Sequence, residues 1–470
     1  MTSVFLKNFY LAGLMLLAPA VYGEVRLIPN SSIAAIGKMS SPVSAANLIQ
    51  ASLIASGVPQ NKLDRYAQQL LGYTRQVSRN TVGNSRIDGE AVLQWMHNNV
   101  LKRYIEEQTR MDVLLDSGEY NCVSSAVLYL ILTRSIGLNT FGVVTADHAF
   151  CRIPDAEEKG IDVETTNSYG FDPGSRREVL DLIEGQTGFA YVPPGNYSRR
   201  RDVNDREIVS LIYQNRIAGL QKRKQWEPAV GLALDRWVLS GSDSARNDFI
   251  TALNNIAAEA DIKGRFMEVL PVLNEGAVLL GANHGLEKTA YKLFNNAFAR
   301  YWNANQLDKA QQLIDSLSGS PLLRADDIEA KRREILARTV ANSIKNSSFS
   351  ESVALLEKAL ADGAIAEKRW EELSLYVWSN EANRLSAGGN WLKGWNFLKD
   401  APQALSDIPK WKNLLRTYEY NTSTVYHNRF VKAVQKKQWT EAEKIVSEGL
   451  SLFPDNANLK KDKATLSKLR

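Results

Sequence analysis

Apolar positions from residue 24 to about residue 110 recur every three or four residues, after a loose start rich in Ser and Pro. The segment 45–54 is amphipathic and ends at Ser56-Gly57; residues 61–77 form a second such segment and residues 89–108 a third. A further helix starts near Cys122, carries Ala126, Val127, Leu130 and Ile131, and stops at Ile136-Gly137, where glycine suits a helix C-terminus. Beyond it the period drops to two. Residues 140–144, 148–153 and, after a charged turn at 154–160, residues 161–166 read as strands. Helices followed by antiparallel strands predict an α+β domain over residues 24–200, with its core at about 105–175.

From about Val203 onward no strand pattern appears. A short signature recurs instead: a large apolar residue, two residues, then a small or mid-sized one opening an amphipathic helix. It occurs at Trp226…Ala229, Phe266…Val269, Leu307…Ala310, Phe349…Ser352, Trp391…Gly394 and Trp439…Ala442, at spacings of 40, 41, 42, 42 and 48 residues. A period of this size predicts stacked helical hairpins, about six of them, over residues 201–470. Gly389-Asn390-Trp391-Leu392-Lys393-Gly394 and Gln438-Trp439-Thr440-Glu441-Ala442-Glu443 resemble the middle of tetratricopeptide repeats, although the period here exceeds the usual length of about 34 residues.

One stretch carries chemistry. Gly118-Glu119-Tyr120-Asn121-Cys122 is a tight polar turn running into an apolar helix; Asp147-His148-Ala149 follows, then Asp162-Val163-Glu164-Thr165-Thr166. A thiol attacks acyl carbon as thiolate, and a helix N-terminus offers partial positive charge and unpaired N–H groups to stabilise it. An imidazole can take the thiol proton and return it to a leaving group, and a carboxylate can orient that imidazole. His148 is the candidate, since His97 lies in the N-terminal helical segment and His284 and His427 lie among the hairpins. Glu164 and Asp162 stand two apart on one strand and share a face, so spacing alone leaves the carboxylate open between them. Alternation also places His148, Phe150 and Arg152 on one face and Cys151 on the other, which predicts two free thiols rather than a disulfide.

In these matched segments, residues 105–175 resemble the transglutaminase-like superfamily of papain-like thiol enzymes. The resemblance implies Cys122 as nucleophile, His148 as base and acid, and Glu164 as orienter, because the acidic member of that family usually sits two residues before a Thr. The departure is Glu where many relatives have Asp. The stretch from Asp205-Arg206-Glu207 to Tyr213-Gln214-Asn215-Arg216 extends the likeness to a bacterial architecture joining such a domain to tetratricopeptide repeats.

Composition bounds the rest. With 470 residues, 44% hydrophobic and 23% charged, the chain is long enough for two or more domains. Residues 1–23 have one charged side chain, Lys7, an apolar run and a small residue at the end, Gly23, the pattern of a cleaved secretory signal. The expectation is therefore an exported protein, periplasmic or secreted, with no stable membrane span once the signal is removed. The formal charge of +5 is spread along the chain and gives no reason to expect nucleic acid as a partner. No phosphate loop, Gly-x-Ser-x-Gly elbow, His-Glu-x-x-His or Cys/His cluster occurs, so neither cofactor nor metal is expected. The function expected is a thiol-dependent hydrolase or acyltransferase acting on an amide bond of a protein or peptide, with the repeats binding the partner. Proteolysis, deamidation and transglutamination share that chemistry. The alternative is a non-catalytic interaction protein in which both parts bind a partner.

Overall fold

A computed structural model describes residues 25–154, 160–174, 176–188 and 200–469. The expected secretory signal at 1–23 lies outside the described residues. The first half of the chain runs α1 (Ser31–Gly37), α2 (Ala45–Ala55), α3 (Gln60–Ser78), α4 (Ser85–Asn99), β1 (Arg103–Tyr104), α5 (Met111–Ser117), β2 (Glu119–Tyr120) and α6 (Cys122–Ser135). It continues with β3 (Phe141–Val144), β4 (Ala149–Ile153), β5 (Ile161–Val163), α7 (Arg177–Thr187), β6 (Arg201–Val203) and α8 (Asp205–Lys222). Then come α9 (Trp226–Ser240), α10 (Asp243–Lys263), α11 (Phe266–Leu280), α12 (Leu286–Asn303), α13 (Leu307–Ser316), α14 (Ala325–Ile344) and α15 (Phe349–Ala361). The chain ends with α16 (Glu367–Leu385), α17 (Trp391–Lys399), α18 (Gln403–Ser406), α19 (Pro409–Gln435), α20 (Trp439–Leu452) and α21 (Ala457–Leu469).

These elements correct the expected fold class. The protein is 71% helical with few, short strands, so an α+β papain-like domain followed by a solenoid does not describe it. Strands are present where period two was read, but each is only three to five residues long. β5 stops at Val163, and the chain turns at Thr165 instead of continuing to Thr166. The sheet has the order β5-β4-β3-β6, antiparallel throughout, and it lies against helices. Helix packing dominates because α6 is buried from Cys122 to Thr133 without a break, with α2, α3, α4, α8 and β4 around it. A helix apolar on all sides has no stripe for periodicity to detect, and it needs neighbours on every side.

The chain divides into two compact units, one reaching Ala299 and including Gly319–Leu323, the other made of Arg300–Ser318 and the residues from Arg324 onward. In the first, α8 is anchored at its start by the buried carboxylate of Asp205, which accepts from Ser41 Oγ at 2.7 Å and Val43 N at 2.5 Å, with Arg134 of α6 at 3.6 Å. The second is packed around aromatic side chains. Trp378 meets Phe349 and Phe397, each at 4.9 Å between ring centroids, and Trp411 at 5.9 Å.

Each signature position found in the sequence opens a helix: Trp226, Phe266, Leu307, Phe349, Trp391 and Trp439 are the first residues of α9, α11, α13, α15, α17 and α20. The fourth residue is buried in every case, which is why it stays small. Two residues before the helix stands a left-handed residue: Lys224, Gly264, Asn305, Gly389 and Lys437. The helix at Phe349 uses a different device, a capping box in which Ser348 and Glu351 bond reciprocally. The longer spacing before Trp439 comes from α18 and from α19, which is 27 residues long.

Gly394 shows how tight these contacts are. A Cβ there would lie 2.1 Å from Ser386 Oγ and 2.7 Å from Tyr418 Cε1. Gly394→Ala is expected to lower stability by about 1–3 kcal/mol through overpacking. Gly72→Ala, in the interior of α3 with nothing within 4 Å of the new methyl, is expected to raise it by up to about 1 kcal/mol. Denaturant unfolding of both variants checks the pair; equal effects would contradict this packing.

Candidate functional site

Cys122 is the first residue of α6, and the cap before it fixes its position. Asn121 Oδ1 accepts from Val123 N at 3.1 Å and Ser124 N at 3.0 Å, while Ser124 Oγ accepts from Asn121 N at 2.9 Å. The cap thus takes the second and third N–H groups and leaves that of Cys122 outside it. The preceding turn is held by the parallel pairing of β1 with β2 and by Gly118, whose φ is 76° and whose Cβ would lie 2.7 Å from the Val100 carbonyl oxygen. Cys122 therefore stands at the positive end of the helix dipole.

His148 ends a tight loop between β3 and β4. Thr145 N donates to His148 O at 2.9 Å, and His148 N donates to Thr145 Oγ1 at 3.1 Å. The ring Nε2 lies 2.7 Å from Glu164 Oε2, and the ring and Cys122 line the same cleft. The other Glu164 oxygen accepts from Thr166 Oγ1 at 2.7 Å and Thr166 N at 3.2 Å. All three groups are buried, Cys122 at 8% exposure, His148 at 5% and Glu164 at 0%.

Asp162 is elsewhere engaged. Arg200 grips it with two hydrogen bonds, at 2.7 and 2.9 Å, and Arg152 Nε donates at 2.8 Å. Of the two carboxylates left open by spacing, Glu164 is therefore the one beside His148. Cys151 points away from both, its Sγ 3.4 Å from Ala126 O on α6, and the two thiols are free. Burial pushes the Cys151 thiol well above its ordinary value.

Several supporting residues carried no signal in the sequence. The turn after Glu164 is tied down by Ser125 Oγ to Thr165 Oγ1 at 2.8 Å, Tyr120 OH to Thr166 O at 3.0 Å and Gln186 Nε2 to Thr166 O at 2.7 Å. His97, set aside as a helical residue, has its Nε2 at 3.2 Å from Thr165 O. Gly170 lets the turn close: a Cβ there would lie 2.0 Å from Glu164 O. Such contacts join elements distant in sequence, and only the fold brings them together.

Burial alone would lower the His148 pKa. The Glu164 carboxylate, its hydrogen bond to the ring and the Cys122 thiol outweigh it and hold the imidazolium well above its ordinary range. The phenol of Tyr104, on the same cleft, is pushed up by burial and by the charges of Cys122, Glu106 and Glu164. Cys122 and His148 line a cleft of about 950 Å³ that residues of α8 also line. Among the described residues, no cluster of His, Cys, Asp and Glu suited to a metal ion occurs, and no helix is long and apolar enough to cross a membrane.

No protein-family model matches the chain, and no curated protein matches it. A solved structure of menin, described with its binding site for the Mixed Lineage Leukemia (MLL) protein, matches at 12% identity. The match covers 82% of this chain and 90% of that one, with a TM-score of 0.31. At that score nothing is carried from one to the other. The transglutaminase-like and papain-like assignment is corrected on the fold itself, which is 71% helical with few, short strands.

Two outcomes test the site. Because the folded-state pKa of His148 lies above the unfolded value of about 6.5, its protonated form stabilises the fold fully below about pH 6.5, and that contribution is lost as pH rises through the folded pKa. The melting-temperature deficit of His148→Gln should thus be largest near pH 6.5 and shrink on going alkaline; a pH-independent deficit would remove the ion pair from the account. Asp162→Ala removes the buried carboxylate that pairs with two buried arginines and is expected to cost about 3–5 kcal/mol, measured by denaturant unfolding. A small effect would mean that the Asp162 pairs are not what anchors this sheet.

Proposed function

We propose that this helical protein holds a protein or peptide partner in the cleft between α6 and α8, and that Cys122 acts there as a nucleophile on an amide bond. The observation that supports the chemistry is the 2.7 Å hydrogen bond from His148 to Glu164, in a cleft also lined by Cys122, the first residue of a helix. Buried carboxylate, imidazole and thiol in that order form the set of parts required for activated thiol chemistry. In the proposed reaction Cys122 Sγ bonds to the amide carbon while its proton resides on His148. The C–N bond then breaks, and the amine leaves with that proton. Water or a second amine next attacks the thioester, releasing the acyl product and restoring the thiol. The N–H of Cys122, outside the helix cap, is a donor for the oxyanion formed on the way.

A second reading has its own observation. Cys122 is only 8% exposed within the cleft that it lines, an arrangement that also suits a scaffold binding its partner without turning it over. Iodoacetamide labelling separates the two. Under the thiol reading Cys122 labelling depends on the imidazole, and His148→Ala slows it about 100-fold. Cys151 stays unlabelled until the protein unfolds. Identical, ordinary thiol pH profiles in wild type and His148→Ala would leave the non-catalytic reading.

A further inference from the structure

The charges of the cleft are sorted by position. Around Cys122 and His148 the rim carries Glu106, Glu107 and Asp147. Away from them, along α8 and α9, it carries Arg216, Lys222, Arg223 and Arg236; the other charged residues of the lining are engaged in ion pairs, Arg110 with Asp112 and Arg201 with Glu207.

One stripe of α8 belongs to this lining. Glu207, Leu211, Gln214, Ala218 and Lys222 follow each other at four- and three-residue steps and all line the cleft. The start of this stripe adjoins the His148 loop, because β6 pairs with β3 (Arg201 opposite Val144) and Arg201 Nη2 bonds Glu207 Oε1 at 2.6 Å. The middle is fixed on both sides: Asn215 Nδ2 donates to Thr109 Oγ1 at 3.3 Å, and Gln214 Oε1 accepts from Arg236 Nη2 at 2.7 Å. Lys222 and Arg223 stand two turns further on, about 10 Å along the axis at 1.5 Å per residue. An extended peptide covers that distance in about three residues.

The cations on this side are short of partners. Among the described residues, no carboxylate stands within ion-pair distance of Arg216, Lys222 or Arg223; Arg216 instead donates to Ala55 O, and Arg223 to Gln225 Oε1 at 3.1 Å. Arg236 pairs with Asp248 through Nη1, yet its Nε is buried with no hydrogen-bond partner in a side chain only 2% exposed. A buried guanidinium N–H without an acceptor is costly, and a carboxylate oxygen is the group that best satisfies it.

We propose that the α8–α9 side of the cleft is a carboxylate subsite, so that the chain laid along it is an acidic peptide. Its amide sits at Cys122, and its carboxylate, from an Asp or Glu side chain or from a C-terminus, sits a few residues away between Arg236 and the Lys222-Arg223 pair. Glu106, Glu107 and Asp147 repel the same carboxylate from the nucleophile end and so set the direction of the chain. The proposal rests on the reading that a peptide occupies this cleft, but not on its turnover.

The test is therefore made on the full chain carrying Cys122→Ala, which removes the chemistry. Fluorescence anisotropy is measured with fluorescein-labelled eight-residue peptides of otherwise neutral sequence. One carries two internal glutamates with an amidated C-terminus, one two glutamines, one two lysines, and one is neutral with a free C-terminal carboxylate. The glutamate or the free-carboxylate peptide is expected to bind about tenfold tighter than the glutamine peptide, the size of one charge-assisted hydrogen bond. Which of the two gains identifies the carboxylate's source. The preference should weaken with added salt and vanish in Lys222→Glu/Arg223→Glu, whose side chains are exposed and whose melting temperature serves as the folding control. Equal affinities for all four peptides, a preference that survives the double substitution, or no binding of any peptide at millimolar concentration would overturn the subsite. A retained acidic preference in a protein whose Cys122 labelling ignores His148 would overturn the thiol chemistry and leave the subsite standing.

Discussion

The N-terminus of α6 is where stability and chemistry of the first unit meet. The helix is buried from Cys122 to Thr133, so its axis cannot shift without disturbing neighbours on every side. Its first turn is locked by the reciprocal bonds of Asn121 and Ser124. A thiol placed on the first residue of such an element inherits that rigidity. His148 and Glu164 are brought to it from the sheet, whose strands are too short to form a core of their own and instead rest on the helix. The sheet's task is positional: it presents one imidazole and one carboxylate to a fixed sulfur.

Polar groups buried beside that core are held in two separate networks with opposite roles. Asp162, Arg152 and Arg200 form an ion cluster whose partners saturate the carboxylate. Glu164 meets only neutral hydroxyl and amide donors besides His148 in the bonds that define its position. Its charge is therefore directed at the ring, and the raised pKa of His148 follows. Two carboxylates two residues apart thus end in different electrostatic settings, one neutralised by arginine and one set to hold a proton on imidazole.

Local pattern made much of this legible and misjudged its scale. The turn at Gly118, the helix start at Cys122 and the period-two stretches around His148 and Asp162 all correspond to elements of the structure. The error lay in reading those strands as the organising layer of an α+β domain. Three strands of three to five residues leave a characteristic alternation in the sequence, whereas a helix buried all round leaves none. Glu164 could be told from Asp162 by sequence only through a family likeness, and no family model matches the chain; in the structure Arg200 makes the distinction physically. Tyr120, Ser125, Gln186 and His97 support the Glu164 turn from four different elements or element ends, and no spacing rule links them.

The left-handed residue two places before five of the six signature helices bears on how the helical part can vary. Lys224, Gly264, Asn305, Gly389 and Lys437 each reverse the chain locally, and the buried small residue at the fourth position then seats the new helix. Entry into a hairpin is thus decided within about six residues and owes nothing to the length of the helix before it. The interval before Trp439 illustrates this: it takes in an extra short helix and one of 27 residues, yet α20 still opens from the same kind of turn. Insertions and deletions between these turns change the spacing of hairpins without altering how each begins. Length is the variable that such a chain can spend in divergence, while the turns stay constant.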